Sequence, residues 1–190
     1  CFFLSVEFFP QTIAVLISMV CTIYLTGAFH EDGLADSADG LGGGWDKERI
    51  LTIMQDSRLG TYGAVAIFMM LLVKFQTLNA MHGILIPAAL VCAHALSRLS
   101  AVWLMHTLSY VKFNGKAKPL ATEIKGIDFF VAHVFGLLPF IGVLAFMMVN
   151  HYTPRLIAEL LLITLTPMLL SWLWWWHKIR KWLGGYTGDT

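Results

Sequence analysis

Five stretches of this chain are apolar for long enough to cross a lipid bilayer, and a water-soluble domain of the same length could not cover that much apolar surface. The first, 11–29, holds nineteen residues and no charge. As a helix rising about 1.5 Å per residue it reaches roughly 28 Å, the depth of the hydrocarbon core. Runs at 64–81, 84–106, 127–150 and 156–176 follow. The chain is 57% hydrophobic and only 13% charged, and its mean hydropathy is +0.69. The charges gather between the runs, as in a multi-span membrane protein. The expected fold is therefore all-α: a polytopic integral membrane protein with about five transmembrane helices, plus a cytoplasmic amphipathic helix at 46–55. One transmembrane catalytic domain over 1–190 accounts for the whole chain. A start at Cys1 and a stop inside a glycine-rich turn suggest truncation at both ends.

Loop charge sets an orientation. Lys47, Arg49 and Arg58 follow the first run, Lys112, Lys116, Lys118 and Lys125 follow the third, and Lys178, Arg180 and Lys181 follow the fifth. The opposite loops carry Arg155 alone. That asymmetry puts the loop after the first run, the basic loop and the tail on the cytoplasmic side. The net charge of +1 argues against nucleic acid as a partner. Cys1, Cys21 and Cys92 have no metal or redox spacing, and the last two read as helix-packing residues.

The stretch 26–63 concentrates the chemistry. Glu31, Asp32, Asp36, Asp39, Asp46, Glu48 and Asp56 are seven of the chain's twelve carboxylates. If the first helix runs a turn or two past Phe29, Asp32, Asp36 and Asp39 fall at roughly 0°, 40° and −20° around its axis, on one stripe. Like charges on a stripe repel unless a cation lies between them, and oxygen ligands without a cysteine favour Mg²⁺ or Mn²⁺. Glu31 lies about 100° off the stripe and ranks lower. Gly33, Gly40 and the glycines at 42–44 would let backbone approach a large polar ligand. The spacing fits neither an EF-hand nor a phosphate-binding P-loop. Inside the third run, Arg98 lies roughly 12 Å from the cytoplasmic end, where a buried cation is costly and by default functional. His94 and Lys74 read as packed or paired helix residues. Trp172, Trp174, Trp175, Trp176 and Trp182 read as an interfacial belt, and the basic loop 112–125 as orienting charge in contact with anionic lipid.

His30-Glu31-Asp32-Gly33-Leu34-Ala35-Asp36, then Asp39-Gly40, then Asp56-Ser57-Arg58-Leu59-Gly60-Thr61-Tyr62-Gly63 resemble the cobalamin synthase (adenosylcobinamide-GDP ribazoletransferase) family. Gly184-Gly185-Tyr186-Thr187-Gly188-Asp189 is similar to that family's second glycine-rich signature, and Ser97-Arg98 to a pair in the same proteins. The resemblance implies a Mg²⁺-dependent transferase of the bacterial inner membrane. It would join adenosylcobinamide-GDP to α-ribazole or its 5′-phosphate and release GMP, with other late cobalamin-assembly enzymes as candidate partners. For that reaction Asp32, Asp36, Asp39 and Asp189 are the expected metal ligands. Asp39 or His30 would take the proton of the attacking hydroxyl, and Arg58 and Arg98 would contact phosphate. Gly33, Gly40, Gly60 and Gly188 would line the substrate. The alternatives are a membrane transferase using a CDP-alcohol or a prenyl diphosphate, whose aspartate spacing differs, and a cation transporter. A transporter would favour acids at mid-membrane, and the runs hold almost none.

Overall fold

The structure, a computed structural model, describes residues 1–111, 124 and 126–190. The basic loop 112–125 thus lies outside the described residues apart from Ile124. The described residues are helical throughout, apart from turns and one bridge between Tyr110 and Tyr186. They form two compact units, residues 1–87 with 187–190, and residues 88–186.

The first unit begins with a short helix, α1 (Phe2–Val6), where no element was expected, and Phe2 is buried. The apolar helix α2 (Gln11–Thr26) ends sharply. Gly27 is left-handed at φ 61° and donates its N–H to the carbonyls of Ile23 and Tyr24. Ala28 is left-handed too, at φ 57°, a conformation that costs a residue with a Cβ about 1–2 kcal/mol. The chain turns through 83° into α3 (Phe29–Gly43). The acidic stripe therefore belongs to a separate helix and does not continue the first span. The two left-handed residues are the physical reason.

Helix α4 (Lys47–Met54) starts where Asp46 Oδ1 accepts the N–H of Arg49 at 2.8 Å, an N-cap of the ordinary kind. The expectation that its apolar residues rest on the bilayer holds least for Ile50 and Met54, which are 0% and 3% exposed. They pack on the glycines of α3. A Cβ at Gly40 would lie 2.5 Å from Met54 Cγ, and one at Gly44 2.5 Å from Ile50 Cγ1 and 2.9 Å from the Gly40 carbonyl oxygen. Helix α5 (Thr61–Ala80) returns along the unit. The Gln11 amide at the start of α2 donates to the carbonyls of Asn79 (3.1 Å) and Met81 (2.8 Å), pinning the end of α5.

In the second unit α6 (Ile86–Thr107, preceded by a 3₁₀ turn at Gly83–Leu85), α7 (Gly126–Val149) and α8 (Pro154–Trp182) are joined by polar pins inside apolar helices. His133 is fully employed: Nε2 accepts the Trp103 indole N–H at 2.8 Å, and Nδ1 lies 2.8 Å from the Phe129 carbonyl. Those partners select the neutral Nδ1–H tautomer. Trp172 and Trp176 donate to the Ser100 carbonyl and to Thr107 Oγ1, both at 3.1 Å. These two indoles tie α8 to α6, a role beyond that of an interfacial belt.

Four helical segments, Thr61–Ala80, Gly83–Thr107, Gly126–Val149 and Pro154–Trp182, are long and apolar enough to cross a membrane. The bent pair α2–α3 supplies a fifth candidate. The protein is a multi-pass membrane protein. Helix α8 runs to Trp182, six residues past the expected end at 176, because Lys178, Arg180 and Lys181 stack on Trp174, Trp176 and Trp182 and so continue an amphipathic helix into the interface.

Gly44→Ala forces a methyl against backbone and should destabilise by about 1–3 kcal/mol. At Gly43 a Cβ meets only Ile53 Cδ1 at 3.5 Å, so Gly43→Ala should be neutral or slightly stabilising. Thermal unfolding of the two variants side by side checks the packing of α4 on α3.

Candidate functional site

Helix α3 is a poor helix by composition, with four glycines and four acids among its fifteen residues. Its neighbours explain how it persists. Ala35, Ser37 and Gly40 are its buried residues; Asp32 is exposed, and Asp36 and Asp39 are half-buried.

Asp39 has definite partners. Oδ2 accepts the N–H of Gly60 at 2.8 Å and Oδ1 that of Gly63 at 2.9 Å. These are the N-cap and third-residue amides of α5, which no helical carbonyl can reach. A carboxylate at this end also meets the positive pole of the helix. A Cβ on either glycine would run into the Asp39 carboxylate, so only glycine admits it. Gly60 and Gly63 thus make room for a side chain of the protein itself. The same is true of Gly33, where a Cβ would lie 3.0 Å from the backbone oxygen of Asp189, and of Gly40 against Met54. Gly188 alone of the four expected substrate-lining glycines faces open space.

The tail reaches α3. Ser37 Oγ donates to the Asp189 carbonyl at 2.7 Å across 152 residues of sequence. Asp189 is thereby brought to the stripe, and its charge is felt there. Burial first, and then the charges of Asp32, Asp189 and Asp39, push the Asp36 carboxyl from 3.8 up to about 6. Burial and the charge of Asp32 push Asp189 upward as well. Among the described residues Arg58 pairs with Asp56 and Arg155 with Glu159, and neither pair involves these acids. Glu31, ranked low from the sequence, has a buried Oε2 with no hydrogen-bond partner among the described residues.

The remaining expected residues are placed as follows. His30 is exposed, with its ring edge-on to Phe29. Arg58 grips Asp56, with Nε 3.0 Å from Oδ1 and Nη2 2.6 Å from Oδ2, and these bonds hold Asp56 below the usual carboxylate range. Both sit on the exposed loop before α5. Arg98 belongs to the second unit, on an exposed face of α6, where burial does not apply. Sequence reasoning missed Ser37. Its one signal was a small hydroxyl among acids on the apolar side of a helix.

The donor set suits a hard cation. Asp32, Asp36 and Asp189 offer only oxygen, and they repel one another. Yet among the described residues no three of His, Cys, Asp or Glu stand together as a ready cage. Mg²⁺ commonly takes one or two carboxylates and completes its shell with water and substrate phosphate. The site fits a cation in that way and not as a dedicated protein cage.

Asp39→Ala should strip two backbone amides of their acceptor and cost about 1–3 kcal/mol. Asp39→Asn keeps one of the two bonds and should cost less, and chemical unfolding distinguishes them. Asp36 binds its proton more tightly folded than unfolded, so in chelator it lowers stability as pH rises from about 4 to about 6, with no further loss above. Asp36→Asn should therefore melt at a temperature that gains on the parent's across that window. Equal melting at every pH would remove the strain assigned to Asp36.

Residues 1–190 match the family described as Cobalamin-5-phosphate synthase. The chain is 46% identical over 181 residues to the adenosylcobinamide-GDP ribazoletransferase of Ralstonia pickettii (strain 12J), covering 94% of this chain and 66% of that protein. With the protein of the same name from Ralstonia nicotianae it shares 51% over 133 residues, 68% of this chain and 52% of the other. With that from Shewanella frigidimarina it shares 40% over 197 residues, 100% of this chain and 69% of the other. The chain thus spans between about half and just over two thirds of the length of these relatives. No solved structure matches it. With acids on a helix beside a membrane span, a tail acid folded onto them, and a family match over its full extent, the chain belongs to the cobalamin-5-phosphate synthase family.

Proposed function

We propose that the full-length protein joins adenosylcobinamide-GDP to α-ribazole or its 5′-phosphate, releasing GMP, at the cytoplasmic face of a bacterial inner membrane. The observation that carries the reading is the set of mutually repelling acids Asp32, Asp36 and Asp189, contributed by α3 and the tail. A diphosphate brings negative charge, so it joins such a set only together with a cation, and that requirement points to Mg²⁺ as the bridging ion. Transfer from a diphosphate depends chiefly on positioning and on neutralising charge. When bound, the ion would supply that neutralisation.

The protein's own residues do the rest. One or two of the carboxylates of Asp32, Asp36 and Asp189 would hold the ion, with water and substrate phosphate completing its shell. Asp39 keeps the start of α5, and with it the Arg58 loop, at a fixed place beside the acids. This duty is a better match to its two occupied oxygens than proton transfer, so exposed His30 is the stronger of the two expected proton acceptors. Arg58 can exchange its exposed partner Asp56 for a phosphate oxygen, since a bidentate guanidinium suits either. Arg98 is proposed as the further phosphate contact, and the other late cobalamin-assembly enzymes as partners. Family membership favours this chemistry over a CDP-alcohol or prenyl-diphosphate transferase and over a cation transporter.

The test is GMP release by the full-length protein in nanodiscs, from adenosylcobinamide-GDP and α-ribazole 5′-phosphate with Mg²⁺. Asp32→Asn and Asp36→Asn should each lower the rate by about 10²–10³-fold, with folding retained. Metal-independent release, or full activity in both variants, would remove the acids from the chemistry.

A further inference from the structure

A serine or threonine within a helix can donate to the carbonyl one turn back, as Thr22 does to Ser18, Ser100 to Leu96 and Thr107 to Trp103. Ser37 does otherwise. It is 2% exposed, and its hydroxyl donates to the backbone oxygen of Asp189 at 2.7 Å. The bond replaces nothing local; it brings in a distant piece of chain. One turn earlier on the same face, Gly33 supplies the clearance. A Cβ there would sit 3.0 Å from that same oxygen and 3.4 Å from the Asp189 Cα. The tail is closed on its other side as well. The Asp189 N–H points to Thr187 Oγ1 at 3.3 Å, the Thr187 N–H to Thr190 Oγ1 at 2.8 Å, and Thr187 is 2% exposed. With both its N–H and its carbonyl tied, the Asp189 backbone has no freedom to carry its carboxylate away from α3.

We propose that Ser37 is a positioning residue for Asp189, with Gly33 as the clearance that lets the tail seat. Together they set where the tail carboxylate stands relative to Asp32 and Asp36, and so how tightly a divalent cation is held there. The inference rests on the cation reading given above and assigns a task to two residues that touch neither ion nor substrate. Its physical basis is preorganisation. A carboxylate on a loose tail must be ordered when the ion binds, whereas one already anchored need not be.

The test is a double-mutant cycle in the full-length protein in nanodiscs, read by Mn²⁺ binding in electron paramagnetic resonance and by amide exchange of residues 187–190. Ser37→Ala should weaken Mn²⁺ about five- to tenfold and speed exchange in the tail, with the melting of the helices unchanged. In an Asp189→Asn background the same substitution should change Mn²⁺ affinity less than twofold, because its route of action is gone. Gly33→Ala, which disturbs the seat one turn earlier on the same face, should reproduce both results should Ser37→Ala fold poorly. Equal weakening with and without Asp189 would overturn the proposal, as would unchanged affinity despite a loosened tail, or a parent that binds no Mn²⁺. GMP release from the same preparations judges the reaction separately. A parent that shows the expected cycle but releases no GMP would sink the reaction and support the positioning role.

Discussion

Mutual repulsion among carboxylates that form no ion pair among the described residues is the constraint on which the rest of the first unit depends. Asp36 shares α3 with Asp32 and Asp39 and faces Asp189 from the tail, and its carboxyl is driven up to about 6. A helix with this composition would not hold by itself. It is held from three sides: Ile50 and Met54 of α4 pack onto its glycines, Asp39 binds the open end of α5, and Ser37 binds the tail. Each contact is made at a position where a larger side chain would not fit or where a polar one reaches backbone. The fold thus keeps together acids that would separate in solution, and a structure that invests in such an arrangement is equipped to receive positive charge.

The aspartates on the stripe divide the work. Asp39 has both oxygens on amides that the helix geometry leaves without partners, so it acts as a strut between α3 and α5. Asp36 and Asp32, about one and two turns earlier, have no such partners among the described residues, and Asp189 joins them by its backbone and not by its carboxylate. Neither the Arg58–Asp56 nor the Arg155–Glu159 pair reaches these acids, and Arg58, on the loop before α5, is spent on Asp56. A cation arriving with a phosphate would find two or three oxygens waiting and could supply the remainder of its shell from the substrate.

Most of the fold could be read from the sequence, because bilayer-length apolar runs leave few alternatives. Four of the five spans lie within a few residues of their expected limits, and α8 overruns because its cations have tryptophan faces to lie on. The bend at Gly27–Ala28 was not legible: a glycine after an apolar run signals a possible stop, but nothing local shows that an alanine will also go left-handed and redirect the chain by 83°. The stripe itself survives the bend, since the spacing 32, 36, 39 depends only on one helix containing all three. The glycines were the hardest part. Gly33, Gly40 and Gly60 suggest space for a ligand, and only tertiary contacts reveal that this space is filled by Asp189, Met54 and Asp39. Ser37 was invisible for the same reason, its partner being 152 residues away.

A calorimetric titration of GDP into the full-length protein, with and without Mg²⁺, bears most directly on the claim that these acids receive a cation together with a diphosphate. Binding of the two should be synergistic, with GDP affinity rising tenfold or more in Mg²⁺, on the order of 1.4 kcal/mol of coupling, and with the synergy lost in Asp36→Asn. GDP affinity indifferent to Mg²⁺ in a well-folded parent would contradict the account.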